Sequence, residues 1–229
     1  VKVRVLVAVL LALAVGAAGG WALAASRPDP EPGHPVAFSD PAPVPAQSPS
    51  LPVQVTEPDP DDPPLAPGLA LETRTLQAPP VDGRPSPLRV TLPVPVGWVG
   101  GAVAMPDPDD PVRFQFRVPL NDTNSYGLRV DLFTGPPITV ERAVGARQAA
   151  MRSADTEGNF QDLGFAEEQD DGFLADYILD GYRRYSLERF FSGPDPDVAY
   201  VTVAVVGRQQ DLQGMEYLVD RISEGLRPG

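Results

Sequence analysis

Cysteine is absent from this chain, and lysine and histidine occur once each. Without thiols the protein forms neither a disulfide nor a thiolate metal site, and thiol redox chemistry is excluded. The lone histidine, His34, lies in a proline-rich stretch. A Ser-His-Asp triad or a histidine-ligated zinc site is therefore not available to the folded part. The lone lysine, Lys2, precedes the first apolar run, and Ser-x-x-Lys, Gly-x-Ser-x-Gly and P-loop patterns are missing. Eighteen basic residues, seventeen of them arginine, face thirty-one acidic ones for a net charge of −13, which argues against nucleic acid as a partner. Nothing in this inventory calls for a cofactor.

What is present begins with Val5 to Ala25, twenty-one residues without a charge. As a helix such a run spans about 30 Å, the hydrocarbon thickness of a bilayer. Lys2 and Arg4 precede it and acidic sequence follows, so the positive-inside bias sends the rest of the chain out of the cytoplasm. Residues 1–26 read as a retained signal anchor, since the apolar run is longer than most signal-peptide cores; the alternative is a signal peptide with Val5 to Val15 as its apolar core and Ala22-Leu23-Ala24 as its cleavage site. The expected location is the cell membrane, single-pass with an extracytoplasmic C-terminal domain, or the exterior if the segment is cleaved. Scarce lysine among abundant Ala, Gly, Pro, Val and Arg fits the codon usage of a bacterial genome rich in G and C.

Residues 27–69 read as a linker. Fourteen prolines fall between Pro28 and Pro67, and seven acids against Arg27 give the stretch a charge of −6. Proline-rich chain extends by about 3.1 Å per residue, and like charges oppose its collapse, so the stretch reaches on the order of 100 Å. It lifts the following domain off the membrane.

Residues 70–229 are long enough for one domain with one core. Leu88 to Leu92 and Val112 to Val118 alternate apolar and polar residues, with Arg113, Gln115 and Arg117 on the polar side, as half-buried strands do. Leu71 to Leu76, Val99 to Met105 and Leu128 to Phe133 are weaker strands. A helix is expected over Thr139 to Ala154, capped by Thr139, with a thin stripe of Val140, Val144 and Met151. The turn dipeptides Asp171-Gly172 and Asp180-Gly181 set up a meander of Phe160 to Glu167, Phe173 to Leu179, Tyr182 to Phe191 and Val198 to Val206. The last of these is apolar on both faces and belongs in the centre of a sheet. A helix over Leu212 to Leu226 closes the chain with a broad stripe of Leu212, Met215, Leu218, Val219, Ile222 and Leu226. The expected class is α+β: an antiparallel sheet with helices packed on it, a layered α/β/α sandwich.

Leu92-Pro-Val-Pro-Val-Gly-Trp98, a Gly-Trp turn leaving an early strand, resembles the entry to domains of the PsbP and LpqN superfamily, as does the late strand followed at once by an amphipathic helix. The resemblance runs through the domain by element order, and implies a layered sandwich serving as a binding or accessory module of the actinobacterial cell envelope. One departure is plain. LpqN-type proteins carry a lipobox ending in cysteine, whereas this chain reads Leu23-Ala24-Ala25-Ser26, and serine cannot take the lipid thioether.

With the usual nucleophiles gone, carboxylates remain. Glu167, Glu168, Asp170 and Asp171 form one cluster and Asp107, Asp109 and Asp110 another, open to reading as solvated turns, a weak calcium site or a glycosidase pair. Neither has EF-hand spacing, so no metal ligand and no catalytic residue is assigned. Tyr182, Arg183, Arg184 and Tyr185 are the candidate partner-binding residues, being types that anchor protein interfaces. Trp98 reads as a core plug rather than a ligand stacker. Asn121-Asp-Thr123 matches a glycosylation sequon that carries no weight in a bacterium. The expectation is a non-catalytic module that binds an unidentified envelope protein. The competing reading is a carboxylate-based hydrolase of cell-wall sugars or a weak calcium-binding module. A reporter fused after Gly229 that is active only outside the cytoplasm is expected to be active; a well-expressed but silent fusion would reject the topology.

Overall fold

Alternating side chains on paired strands build the two faces on which the rest of the molecule is arranged. The computed structural model describes residues 53–54, 59–80, 86–105, 111–119 and 125–229. The expected span Val5 to Ala25, most of the linker, the Asp107 to Asp110 cluster and the Asn121 sequon lie outside the described residues. Among the described residues no helix is long and apolar enough to cross a membrane.

Among the described residues ten strands run in chain order: β1 (Leu71–Gln77), β2 (Arg89–Pro95), β3 (Val99–Val103), β4 (Val112–Arg117), β5 (Gly127–Leu132), β6 (Gln161–Gln169), β7 (Gly172–Leu179), β8 (Tyr182–Ser192), β9 (Ala199–Gly207) and β10 (Arg227–Pro228). Helix α1 (Val140–Thr156) lies between β5 and β6, and a short 3-10 turn (Gln209–Asp211) leads from β9 into α2 (Leu212–Gly225). The strands form a seven-stranded sheet in the order β3-β4-β5-β9-β8-β7-β6 and a three-stranded sheet in the order β1-β2-β10, every neighbouring pair antiparallel.

Partners directly opposite each other in antiparallel strands share a face. On the first face of the large sheet the rows are apolar: Phe116, Leu128, Val205 and Leu187; then Phe114, Val130 and Val203; then Val112, Leu132, Val201 and Phe191. These rows join one core with Leu76, Val90, Leu92 and Val94 of the small sheet and Met215, Leu218, Val219 and Ile222 of α2. On the second face α1 packs over β6 to β8, where Ala143, Val144 and Met151 meet Phe173, Ala175 and Phe190 in a separate core.

The expected α/β/α layering is therefore corrected. The molecule is mostly sheet, because the small sheet shares the first face with α2 and a single helix covers only part of the second. The apolar stripe of α1 is too narrow for more. Thr139 does cap α1, its hydroxyl accepting from the Arg142 amide.

Two turns behave as their residues require. Gly97 takes φ 83°, with the Trp98 amide bonded to the Pro95 carbonyl at 3.2 Å, a turn geometry open to glycine at that position. Asp180 and Gly181, at φ 53° and 84°, form the paired left-handed turn that joins β7 to β8. The β6–β7 turn differs from the expected Asp171-Gly172: Gln169 pairs with Gly172, so Asp170 and Asp171 make the loop and Gly172 already belongs to the strand. Trp98 is a buried plug, stacked on Tyr126 at 5.9 Å between centroids.

The stretch 59–69, within the segment read as linker, is seated on the domain. Leu65 is buried, its amide donates to Asp211 at 2.8 Å, and Asp62 meets Arg208 at 2.8 Å. The strap crosses α2 at Gly214, where a Cβ would lie 2.0 Å from the Leu65 carbonyl oxygen.

Leu218 of α2 has no exposed surface. Leu218→Ala is expected to cost about 2 to 5 kcal/mol in denaturant melts as a buried large-to-small change. An unchanged midpoint would make α2 a docking surface instead of a core element.

Candidate functional site

The second face carries charge where the first carries hydrocarbon. One row runs Gln115, Arg129, Ala204, Glu188, Phe173, and the next Arg113, Asp131, Thr202, Phe190. Glu188 is wholly buried. Arg147 of α1 grips it from above, Nε and Nη2 donating at 2.9 to 3.2 Å, and the Ser186 hydroxyl donates at 3.0 Å. Arg129 approaches from β5 with Nη2 at 3.0 Å, reaching across Ala204, whose small side chain leaves the path open. Asp131 is paired with Arg113 through two hydrogen bonds of 2.8 and 3.1 Å, and lies 3.2 Å from Arg129 Nε. The Arg129 contacts have ion-pair distances, but Nε and Nη2 make no aligned hydrogen bond and are buried. They act as charge contacts.

Burial by itself would raise the pKa of Glu188. The charges of Arg129 and Arg147, with the hydrogen bonds from Arg147 and Ser186, outweigh it and hold the carboxyl below its usual range. Glu188 is thus an anion locked in a salt-bridge network, the opposite of the raised carboxyl that general-acid chemistry needs.

Beside this network the second face is open, and a cleft of about 590 Å³ forms there. Its lining comes from strands as far apart as β3 (Val99, Val103) and β7 (Tyr177, Leu179). In a flat sheet those strands would stand about 24 Å apart, five spacings of roughly 4.8 Å. One cleft reaches both because the sheet twists and curls. Arg117, Arg129, Arg184 and Gln115 give the floor its polarity, Tyr126 and Tyr177 add hydroxyls, and among the described residues Asp180 is its one acid. Desolvation raises both tyrosines above their ordinary value, Asp62 and Asp211 adding to it at Tyr126 and Glu188 at Tyr177, so both stay protonated.

A second buried charge cluster stands behind Tyr126. Arg208, nearly fully buried, donates to Asp211 through Nε and Nη2 at 2.8 and 3.1 Å and to Asp62 through Nη1 at 2.8 Å. Its guanidinium lies 5.7 Å from the Tyr126 ring centre. The Ser125 hydroxyl donates to Asp62, and the Ser125 carbonyl accepts from Arg184 at 2.8 Å. The strap, the cleft wall and β8 are joined through these few residues.

The structure divides the Tyr182 to Tyr185 candidates. Arg184 lines the cleft. Arg183 points to the other face, where it holds Asp176 and Asp162 at 2.5 Å each. Tyr185 is half-buried against the main core. Tyr182 closes the hairpin opposite Leu179 and bridges to Gln54. Glu167, Glu168, Asp170 and Asp171 sit at the end of β6 and its turn, where Arg189 takes Asp171 at 3.1 Å. Among the described residues no group of three potential metal ligands converges.

No family model matches the chain, and no curated protein matches it. Among solved structures it is similar to the crystal structure of LpqN involved in cell envelope biogenesis of Mycobacterium tuberculosis. The identity is 15% and the TM-score 0.33, over 69% of this chain and 91% of that one.

Reading the sequence for sites passed over Glu188, Arg129 and Arg147. The available signal was a mismatch: a glutamate inside Leu187-Glu-Arg-Phe-Phe191, next in the sheet to a strand apolar on both faces, and an arginine at the turn of α1 between Val144 and Met151. Glu188→Gln is expected to destabilise the fold at pH 7 by about 3 to 5 kcal/mol, since it leaves buried arginines unanswered. The native carboxylate, its folded pKa depressed, contributes fully above its unfolded value near 4.3 and progressively less as pH falls through the folded value. The gap between native and variant melts should therefore narrow below about pH 4. A gap independent of pH would show that Glu188 is not held as an anion.

Proposed function

We propose that this protein is a non-catalytic binding or accessory module of the cell envelope, held at the membrane through Val5 to Ala25 or released when that segment is cleaved, and that the second-face cleft is its binding surface. The observation that carries this reading is the lining itself. The cleft has the size of a small-molecule site, roughly 300 to 1,000 Å³, and combines apolar walls with a few convergent polar groups. A carboxylate hydrolase needs two acids about 5 to 10 Å apart across its cleft. Among the described residues Asp180 is the one acid in its lining, and the nearby Glu188 is neutralised by two arginines and sealed from solvent.

The envelope setting follows from the charge flanks of the first apolar run and from the reach of the proline-rich segment. The expected partner is an envelope protein that reaches this cleft.

Hydrogen exchange of the full chain, with and without an isolated bacterial envelope fraction, tests the reading. Protection is expected at Val99–Val103, at Arg117 and at Arg184, with no release of reducing sugar from cell-wall fragments. Turnover abolished by Asp180→Asn, or protection confined to the opposite face, would reject it.

A further inference from the structure

The binding reading leaves the chemistry of the ligand open, and the cleft narrows it. The second-face network sets three guanidiniums, Arg113, Arg129 and Arg147, against two carboxylates, Asp131 and Glu188, leaving one positive charge in a poorly hydrated place. Arg117 and Arg184 add two at the cleft, while Asp180 removes one and the Arg208, Asp62 and Asp211 cluster behind Tyr126 removes another, which leaves a positive surplus among the described residues. A chain of net charge −13 thus concentrates positive potential at one concave surface. The hydrogen-bonding groups point the same way. The guanidiniums of Arg117 and Arg184 only donate, whereas the protonated tyrosines and the Gln115 amide donate or accept, so the complementary ligand carries acceptors opposite the two arginines. The walls add a second demand. Among the described residues five large hydrophobics are exposed, and three of them, Val99, Val103 and Leu179, line this cleft.

We propose that the cleft seats an amphiphilic anion, a phosphate or carboxylate head at Arg117 and Arg184 with its apolar tail along Val99, Val103 and Leu179. This rests on the reading of the cleft as the binding surface. Arg184 is positioned for the task by Ser125, whose carbonyl takes one of its N–H groups and whose hydroxyl is held by Asp62. Arg117 is exposed on the same face of the sheet and is free to move to the head group. Metal cations and cationic ligands meet the wrong sign of charge here.

The test is calorimetry on the full chain in nanodiscs, with empty discs as the blank, using hexyl phosphate, neutral hexyl glucoside and inorganic phosphate. Hexyl phosphate is expected to bind about tenfold more tightly than inorganic phosphate, the gain from burying about two methylenes. It should also exceed hexyl glucoside, and its affinity should fall as salt is raised. Arg184→Gln and Arg117→Gln should each weaken hexyl phosphate by about tenfold, as loss of a charge-assisted hydrogen bond does, while leaving hexyl glucoside unchanged. Arg117→Gln guards against a folding defect at Arg184, because Arg117 is solvent-exposed. Leu179→Ser should weaken both amphiphiles and spare inorganic phosphate.

Equal binding of hexyl glucoside, lost in Leu179→Ser, would overturn the anionic head while keeping the cleft as the binding surface. Equal binding of inorganic phosphate would overturn the tail. Binding of no probe would overturn the amphiphile altogether, and with envelope protection mapping elsewhere it would remove the cleft reading as well.

Discussion

A carboxylate with no solvent exposure in the middle of a sheet must be answered by cations, and the answer to Glu188 organises the second face of this protein. Desolvating a charge costs several kcal/mol, recovered only when partners approach closely and hydrogen bonds satisfy its oxygens. Arg147 supplies those bonds from α1, Ser186 from the same strand, and Arg129 adds charge across Ala204. The helix is thereby fixed over β6 to β8 by a polar contact at the centre of its buried stripe, with Ala143, Val144 and Met151 packing around it. Among the described residues no helix lies over β3 to β5 on this face. The uncovered end of the curled sheet becomes the cleft.

The two faces therefore solve the burial of the large sheet by different physics. On the first, rows of Val, Leu and Phe meet α2 and the small sheet, a non-directional contact that tolerates adjustment of side chains. On the second, the polar rows have fixed partners: both carboxylates are held by arginines, while Arg129 contributes charge without an aligned hydrogen bond, and such a network favours one arrangement over its alternatives. That network holds one guanidinium more than it has carboxylates, and it borders the cleft through Arg129.

Arg208 repeats the device on the other side of Tyr126. Two aspartates, one at the entry to α2 and one in the strap, converge on a single buried guanidinium. Asp62 and Leu65 make chain that composition assigns to a linker part of the folded body. Gly214 permits this, since any side chain there would meet the strap backbone.

Sequence alone determined the elements. Alternation over Leu88 to Leu92 and Val112 to Val118 marked what became β2 and β4, Asp180-Gly181 set its hairpin, Thr139 opened α1, and the stripe of α2 placed that helix on the core, because these features depend on chain period and local turn chemistry. The uniformly apolar strand β9 revealed that it would be central, with neighbours on both sides. Tertiary structure decided what covers the faces and where the site lies. The small sheet pairs β2 with β10, strands that lie at opposite ends of the domain sequence, and no local period records such a pairing. Glu188, Arg129 and Arg147 are separated by 18 to 59 positions and form one network because β5, β8 and α1 meet there. Of the residues singled out at Tyr182 to Tyr185, strand alternation sent Arg184 into the cleft and Arg183 away from it, a choice of face that the sequence pattern contained without saying which face was open. Charges find their partners through space, and only the folded chain fixes those distances.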